Sequence, residues 1–293
     1  MNPKAMIITA MTVFGTLGLF VRNIELSSGE IALYRAVLAS LLLLGYILIA
    51  KQKIPFKEIK KEALLLFISG AAMGFNWILL FEAYKYTTVS IATLSYYFAP
   101  VIVTVACPIL FKEKMGAKQW ICFAMSTLGI ILITGIGNTA SQSSHLVGIL
   151  FGLGAACLYA TVVMLNKYIK KTKDIHRTFL QFIAAIAVLV PYVAFTGGTS
   201  ILSLDSKGWV FLLIVGLVHT GITYCLYFSS IKDLTGQQTA ILSYIDPLVA
   251  VLLSVFILKE QITLWQIIGG ALILGFTLWN ELSTNKKPNK NYE

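Results

Sequence analysis

The chain has 293 residues, of which 57% are apolar and only 12% charged, with mean hydropathy +0.81 and formal net charge +10. So little polar surface cannot cover a core in water, which excludes a soluble globular enzyme, and the apolar content excludes a disordered chain. What remains is a polytopic membrane protein, because a bilayer core of about 30 Å takes about 20 apolar residues per helix.

Ten apolar stretches follow in chain order, at residues 4–21, 31–50, 63–82, 89–111, 119–136, 146–166, 178–196, 208–229, 236–258 and 263–282. Each predicts one transmembrane helix. Barrel strands alternate and are about 10 residues long; these runs are continuous and longer. The opening Met1-Asn2-Pro3-Lys4 leads into the first run with no clear small-residue cleavage site, so an uncleaved first helix is expected. Cys107, Cys122, Cys157 and Cys225 all fall inside predicted spans and form no C-x-x-C. They read as small buried apolar residues, not as disulfides or metal ligands.

The loops carry the basic residues unevenly. With the N-terminus inside, 18 Lys and Arg fall on the inner side and 4 on the outer, while Arg35 lies within a span. By the positive-inside rule this predicts ten helices with both termini in the cytoplasm. The net charge then reads as a topology signal and a contact with anionic membrane lipid, not as a nucleic-acid surface.

The chain also repeats itself. Gly74–Glu113 aligns without gaps to Gly221–Glu260 at an offset of 147, with nine identities in forty positions. Among them are Tyr97/Tyr244, Pro100/Pro247 and Glu113/Glu260. Domains are therefore expected at 1–144 and 145–284, five helices each, followed by a cytoplasmic tail at 285–293. Five is odd, so the second unit enters the membrane from the opposite side. The expected fold is all-α: ten transmembrane helices as two inverted five-helix repeats around a central cavity. Such repeats give inward-open and outward-open states of similar energy, which points to a carrier.

The run from Ala92 through Leu94-Ser95-Tyr96-Tyr97 to Pro100, with Lys112-Glu113 at its end, resembles the fourth helix of EamA-type transporters of the drug/metabolite transporter superfamily. Ile241-Leu242-Ser243-Tyr244-Ile245-Asp246-Pro247, closing at Lys259-Glu260, resembles their ninth, and Arg35 is similar to the arginine of their second. The resemblance covers about residues 5–282. It implies an exporter of the cell inner membrane, with a cavity lined mainly by helices 1, 3, 4, 6, 8 and 9.

Polar groups at membrane depth are costly and often functional. Asp246, before Pro247, is a candidate for a substrate amine or a proton; the alternative is a carboxylate satisfied beside the kink. His219, mid-helix 8, is a candidate proton relay or a satisfied core histidine, with Asp246 a possible partner. Arg35 either clamps a substrate carboxylate or, the favoured reading, holds helix 2 through backbone carbonyls or by snorkelling, with Glu30 five residues earlier. Asn76, Trp77, Tyr96, Tyr97, Tyr159, Asn166, Thr223, Tyr224, Ser243 and Tyr244 form an aromatic-polar set on the expected lining helices. It suits a medium-sized, partly apolar metabolite, with plain interhelix packing as the alternative for any one member. Glu82 and Tyr84, near the outer end of helix 3, read as a gate or an interface anchor, the anchor being favoured. Pro100 and Pro247 mark a midplane hinge, and Glu113 and Glu260 read as repeated helix-end fixings.

No P-loop pattern and no H-E-x-x-H occur, and the three histidines are scattered, so no cofactor and no metal are expected and the chain is not read as an enzyme. The first helix lacks the acidic residue of small multidrug exporters, which weighs against a broad drug exporter. The scarcity of span cations weighs against phosphorylated sugars. The leading expectation is a secondary transporter exporting a small metabolite, an amino acid or related compound. A non-transporting sensor or assembly factor is the alternative from another class; only eleven residues follow Leu282 to carry an output.

Overall fold

A computed structural model describes residues 2–52, 56–111, 116–133, 142–172, 174–231, 233–234 and 236–284. Glu113 lies outside the described residues. The described chain is helical, as α1 (Pro3–Val21), α2 (Ser28–Ile49), α3 (Phe56–Tyr86), α4 (89–111), α5 (Ala117–Ile133), α6 (Gln142–Tyr168), α7 (Asp174–Phe195), α8 (206–231), α9 (236–256) and α10 (Leu264–Thr284). Among the described residues, seven helices are long and apolar enough to cross a membrane, and Ala117–Ile133, Ile245–Phe256 and Leu264–Asn280 are shorter apolar helices. Large apolar side chains such as Leu41, Leu48, Leu64, Phe195 and Trp265 stand exposed on the outside of the bundle. In water that surface would be a liability; against lipid it is matched.

Helix starts follow local chemistry. Ser27 and Glu30 form a reciprocal capping box on α2. The Thr88 hydroxyl accepts from the Ile91 amide at the start of α4, and the Asp205 carboxylate accepts from Gly208 at the start of α8. α3 begins at Phe56 instead of near 63. Its first turns carry Lys57, Glu58, Lys60, Lys61 and Glu62, which are good helix formers although they are not apolar.

Among the described residues, three helices are interrupted. α1 turns at Thr16, α4 at Tyr97–Phe98 and α9 at Tyr244. In α4 and α9 the cause is proline: Pro100 and Pro247 have no N–H for the carbonyls of Tyr96 and Ser243. The chain tightens there, with Phe98 N–H donating to the Ser95 carbonyl at 3.2 Å, and restarts with Val101 and Ile102 both donating to Phe98. The middle of α8, Ile214–Ile222, is wound as a π-helix.

The principal neighbours are α3 with α6 and α7, α2 with α7 and α8, α1 with α8 and α9, α4 with α6 and α9, and α5 with α10. Adding five to each helix number, counted cyclically, returns the same set of pairs. Close approaches are made at glycines. A Cβ on Gly129 would stand 2.6 Å from the Gly269 carbonyl oxygen, and one on Gly269 equally close to that of Gly129. The largest buried cluster joins the end of α1, α2, α3, the start of α4, α7 and α8 around Phe81, Phe182 and Leu189.

Candidate functional site

The interruptions of α4 and α9 meet. Asp246 sits in the first turn of the second half of α9, where a carboxylate suits the helix dipole. The Tyr97 hydroxyl, at the break of α4, donates to Asp246 Oδ2 across 2.8 Å. α1 passes close by: a Cβ on Gly15 would stand 2.6 Å from the Asp246 carbonyl oxygen. A chain of tyrosine rings runs through this region, Tyr244 to Tyr97 to Tyr96 to Tyr159, with centroids 6.4, 6.1 and 5.5 Å apart. Ser243 is turned into its own helix, donating to the Thr239 carbonyl.

The π segment of α8 supplies the second group. His219 Nδ1 lies 3.3 Å from the Ile214 carbonyl, while Thr220 and Thr223 donate to Val215 and Val218. Each reaches the carbonyl five residues back, the one that the wider winding brings within range. His219 Nε2 meets the Thr16 hydroxyl at 2.7 Å, and its ring lies against Phe20. Its partner is therefore Thr16, at the break of α1, and not Asp246. Tyr224, one turn on, packs edge-on against Phe14 and Phe182.

Arg35 is 2% exposed. Its guanidinium carbon lies 4.5 Å from the centroid of Trp77 and 5.3 Å from that of Phe81, and Nε donates to Thr220 Oγ1 at 3.0 Å. It neither snorkels nor reaches a backbone carbonyl among the described residues. The Glu30 carboxylate is turned away from it, binding Ser27 and the Ser200 amide. Asn76 joins α3 to α6 through the Ala155 carbonyl at 2.6 Å, a packing bond. Asn166 accepts from Gln181, which also bonds Ser69. Tyr84 is buried against Gly18, not spread at an interface, and Glu82 pairs with Lys85 at 3.0 Å. Cys122 is buried but Cys157 faces outward; the Cys107 side chain lies outside the described residues.

A third cluster ties one end of the bundle. Glu260 follows α9, yet its carboxylate accepts from the Val89 amide at the start of α4 (3.0 Å), from Ser254 and from Arg22. Arg22 also donates to the carbonyls of Tyr84 and Thr87. Glu260 thus fixes a helix end, but of another helix. The opposite end has a simpler counterpart: Glu62 accepts from the amides of Lys170, Lys171 and Thr172. Sequence reasoning did not single out Thr16, Arg22 or Glu62. The signal for Arg22 and Glu62 is a charge at the edge of an apolar run, which the sequence shares with many solvated residues.

Two copies of one family pattern match this chain, at residues 4–135 and 146–280. The chain belongs to the EamA-like transporter family. An uncharacterized transporter YxxF of Bacillus subtilis (strain 168) is 30% identical over 267 residues, 91% of this chain and 85% of the relative. A biotin transporter of Escherichia coli (strain K12) is 23% identical over 260 residues, 87% and 85% of the two chains. A solved crystal structure superposes with a TM-score of 0.66 at 14% identity, covering 96% of this chain and 97% of that one, which places the two in one fold. As an EamA-like transporter with several apolar helices, the chain is a multi-pass membrane transport protein.

Proposed function

We propose that the protein is a secondary transporter that exports a small metabolite, an amino acid or related compound, across the cell inner membrane by alternating access. It has ten transmembrane helices in two inverted five-helix repeats, 1–144 and 145–284, with both termini and the 285–293 tail in the cytoplasm. The cyclic pairing of these principal neighbours supports this, since a pseudo-twofold axis either repeats such a pair or maps it onto itself. The observation that carries the reading is the Tyr97–Asp246 bond. It joins the two interrupted helices at corresponding places, one from each half. Interrupted helices at membrane depth persist where they line a path or a binding site.

The halves rock around the layer holding Pro100 and Pro247. Asn76, Trp77, Tyr96, Tyr97, Tyr159, Thr223, Tyr224, Ser243 and Tyr244 surround or support the substrate, with Asn76 and Ser243 in supporting roles. Asp246 and His219 carry the coupling proton. The relative named a biotin transporter is named for a small carboxylic acid, which agrees with a metabolite of this size. The test is counterflow and uphill transport in proteoliposomes. Asp246→Asn is expected to abolish uphill transport while exchange persists. Undiminished uphill transport in that variant would remove the coupling role.

A further inference from the structure

We infer that Arg35 is the anion subsite of the transport path and that the substrate carries a carboxylate. This rests on the transport reading above and deepens it. Arg35 lies seven residues into α2, about 10 Å along the helix from its start. It is 2% exposed and has no anionic partner among the described residues. Glu30 is engaged with Ser27 and Ser200, and Asp246 with Tyr97. Two ion pairs of the bundle, Arg22–Glu260 and Lys85–Glu82, do not involve Arg35.

A buried cation without an anion is expensive. The faces of Trp77 and Phe81 offset part of that through their ring quadrupoles. Faces do not use N–H donors, however. Of the five donors on a guanidinium, Nε–H is bound to Thr220, and the buried Nη1 has no hydrogen-bond partner. Thr220 itself donates to Val215, so its oxygen is fixed as the acceptor and the guanidinium plane is set. A planar fork packed against aromatic rings, with Nη1 unpartnered, is the shape that takes a carboxylate.

In this conformation Arg35 is sealed from water, and the Arg22–Glu260 cluster closes the nearby end of α1, α3, α4 and α9.

The experiment uses the full chain in proteoliposomes and in detergent. The probes are radiolabelled L-amino acids and short monocarboxylates, each paired with its primary amide, read by counterflow uptake and by thermal stabilisation. Wild-type protein should take up, and be stabilised by, at least one carboxylate, with its amide at least tenfold weaker. Arg35→Gln should erase the carboxylate-to-amide ratio. Arg35→Lys, which keeps the charge without the fork, should lower uptake at least tenfold and keep the preference. Equal response to acid and amide in the wild type overturns the inference, as does a wild-type ratio in Arg35→Gln. If Arg35→Gln does not fold, the wild-type ratio and Arg35→Lys still decide. Stabilisation by carboxylates without uptake of any probe would reject transport and keep the subsite; stabilisation by no carboxylate rejects the subsite.

Discussion

The Tyr97 hydroxyl donates to Asp246 across the gap between two interrupted helices, at 2.8 Å. Tyr97→Phe removes that donor and nothing else. A hydrogen bond to a charged group contributes about 1.5–3 kcal/mol, so a stability loss of that order is expected from thermal melting. In an Asp246→Asn background the same change should cost at least about 1 kcal/mol less, because the charged partner is already gone. Additive losses in the double-mutant cycle would mean that the two side chains touch without interacting.

Thr16 and His219 form a second bond between interrupted backbone segments, at the turn of α1 and the π segment of α8. Thr16→Val keeps the shape and deletes the hydroxyl, leaving a ring nitrogen unpaired in a buried place. The expected loss is about 1–3 kcal/mol, while Thr16→Ser should lose less than half of that. If Thr16→Val melts like the wild type, the His219 ring finds another partner and the bond does not hold the two helices.

Much of the fold is legible in the sequence because a bilayer imposes length. Apolar runs near 20 residues can only be helices there, and Pro100 and Pro247 mark where α4 and α9 break. The break at Thr16 has no such signal, since no proline stands in that turn. The π winding of α8 is equally silent: Ile214–Ile222 reads as ordinary apolar helix, and the extra residue shows only in which carbonyls His219, Thr220 and Thr223 reach. Single residues were legible and their partners were not. Asp246 and His219 stand out as costly groups, but pairing each other was one option among many, and folding gave them Tyr97 and Thr16. The Lys-Glu ending of α9 announced a helix-end role. That Glu260 serves the start of α4 follows from long-range packing, which no local pattern encodes.

α5 and α10 touch through glycine backbones, so Gly129→Ala and Gly269→Ala each push a methyl group against a carbonyl 2.6 Å away. Backbone yields less than a side chain tip. Each variant is expected to lose about 1–3 kcal/mol in chemical or thermal unfolding. Gly45 provides the control, being on α2 with nothing within 4 Å of an added Cβ. Gly45→Ala should be neutral or stabilising by up to about 1 kcal/mol, from helix propensity alone. Equal effects at all three positions would show that the glycines serve no close approach.

Arg22 and Glu260 come from opposite halves of the chain, and together they hold the ends of α1, α3 and α9 against the start of α4. A rocking transporter must release such a cluster to open that end. Glu260→Ala strips Arg22 of its anion and Val89 of its acceptor, at a cost of about 1–3 kcal/mol to the closed state. One to two kcal/mol moves a two-state ratio roughly 5–30-fold, so the open state should become readily detectable. The reporter is Ser90→Cys, buried beside Ser254 in this conformation, with the four native cysteines replaced by serine. A membrane-impermeant maleimide should label it severalfold faster in Glu260→Ala than in the parent, with Glu260→Gln between the two because an amide still accepts from Val89. The same rate in all three would leave the cluster as a static brace, with the opening motion located elsewhere in the bundle.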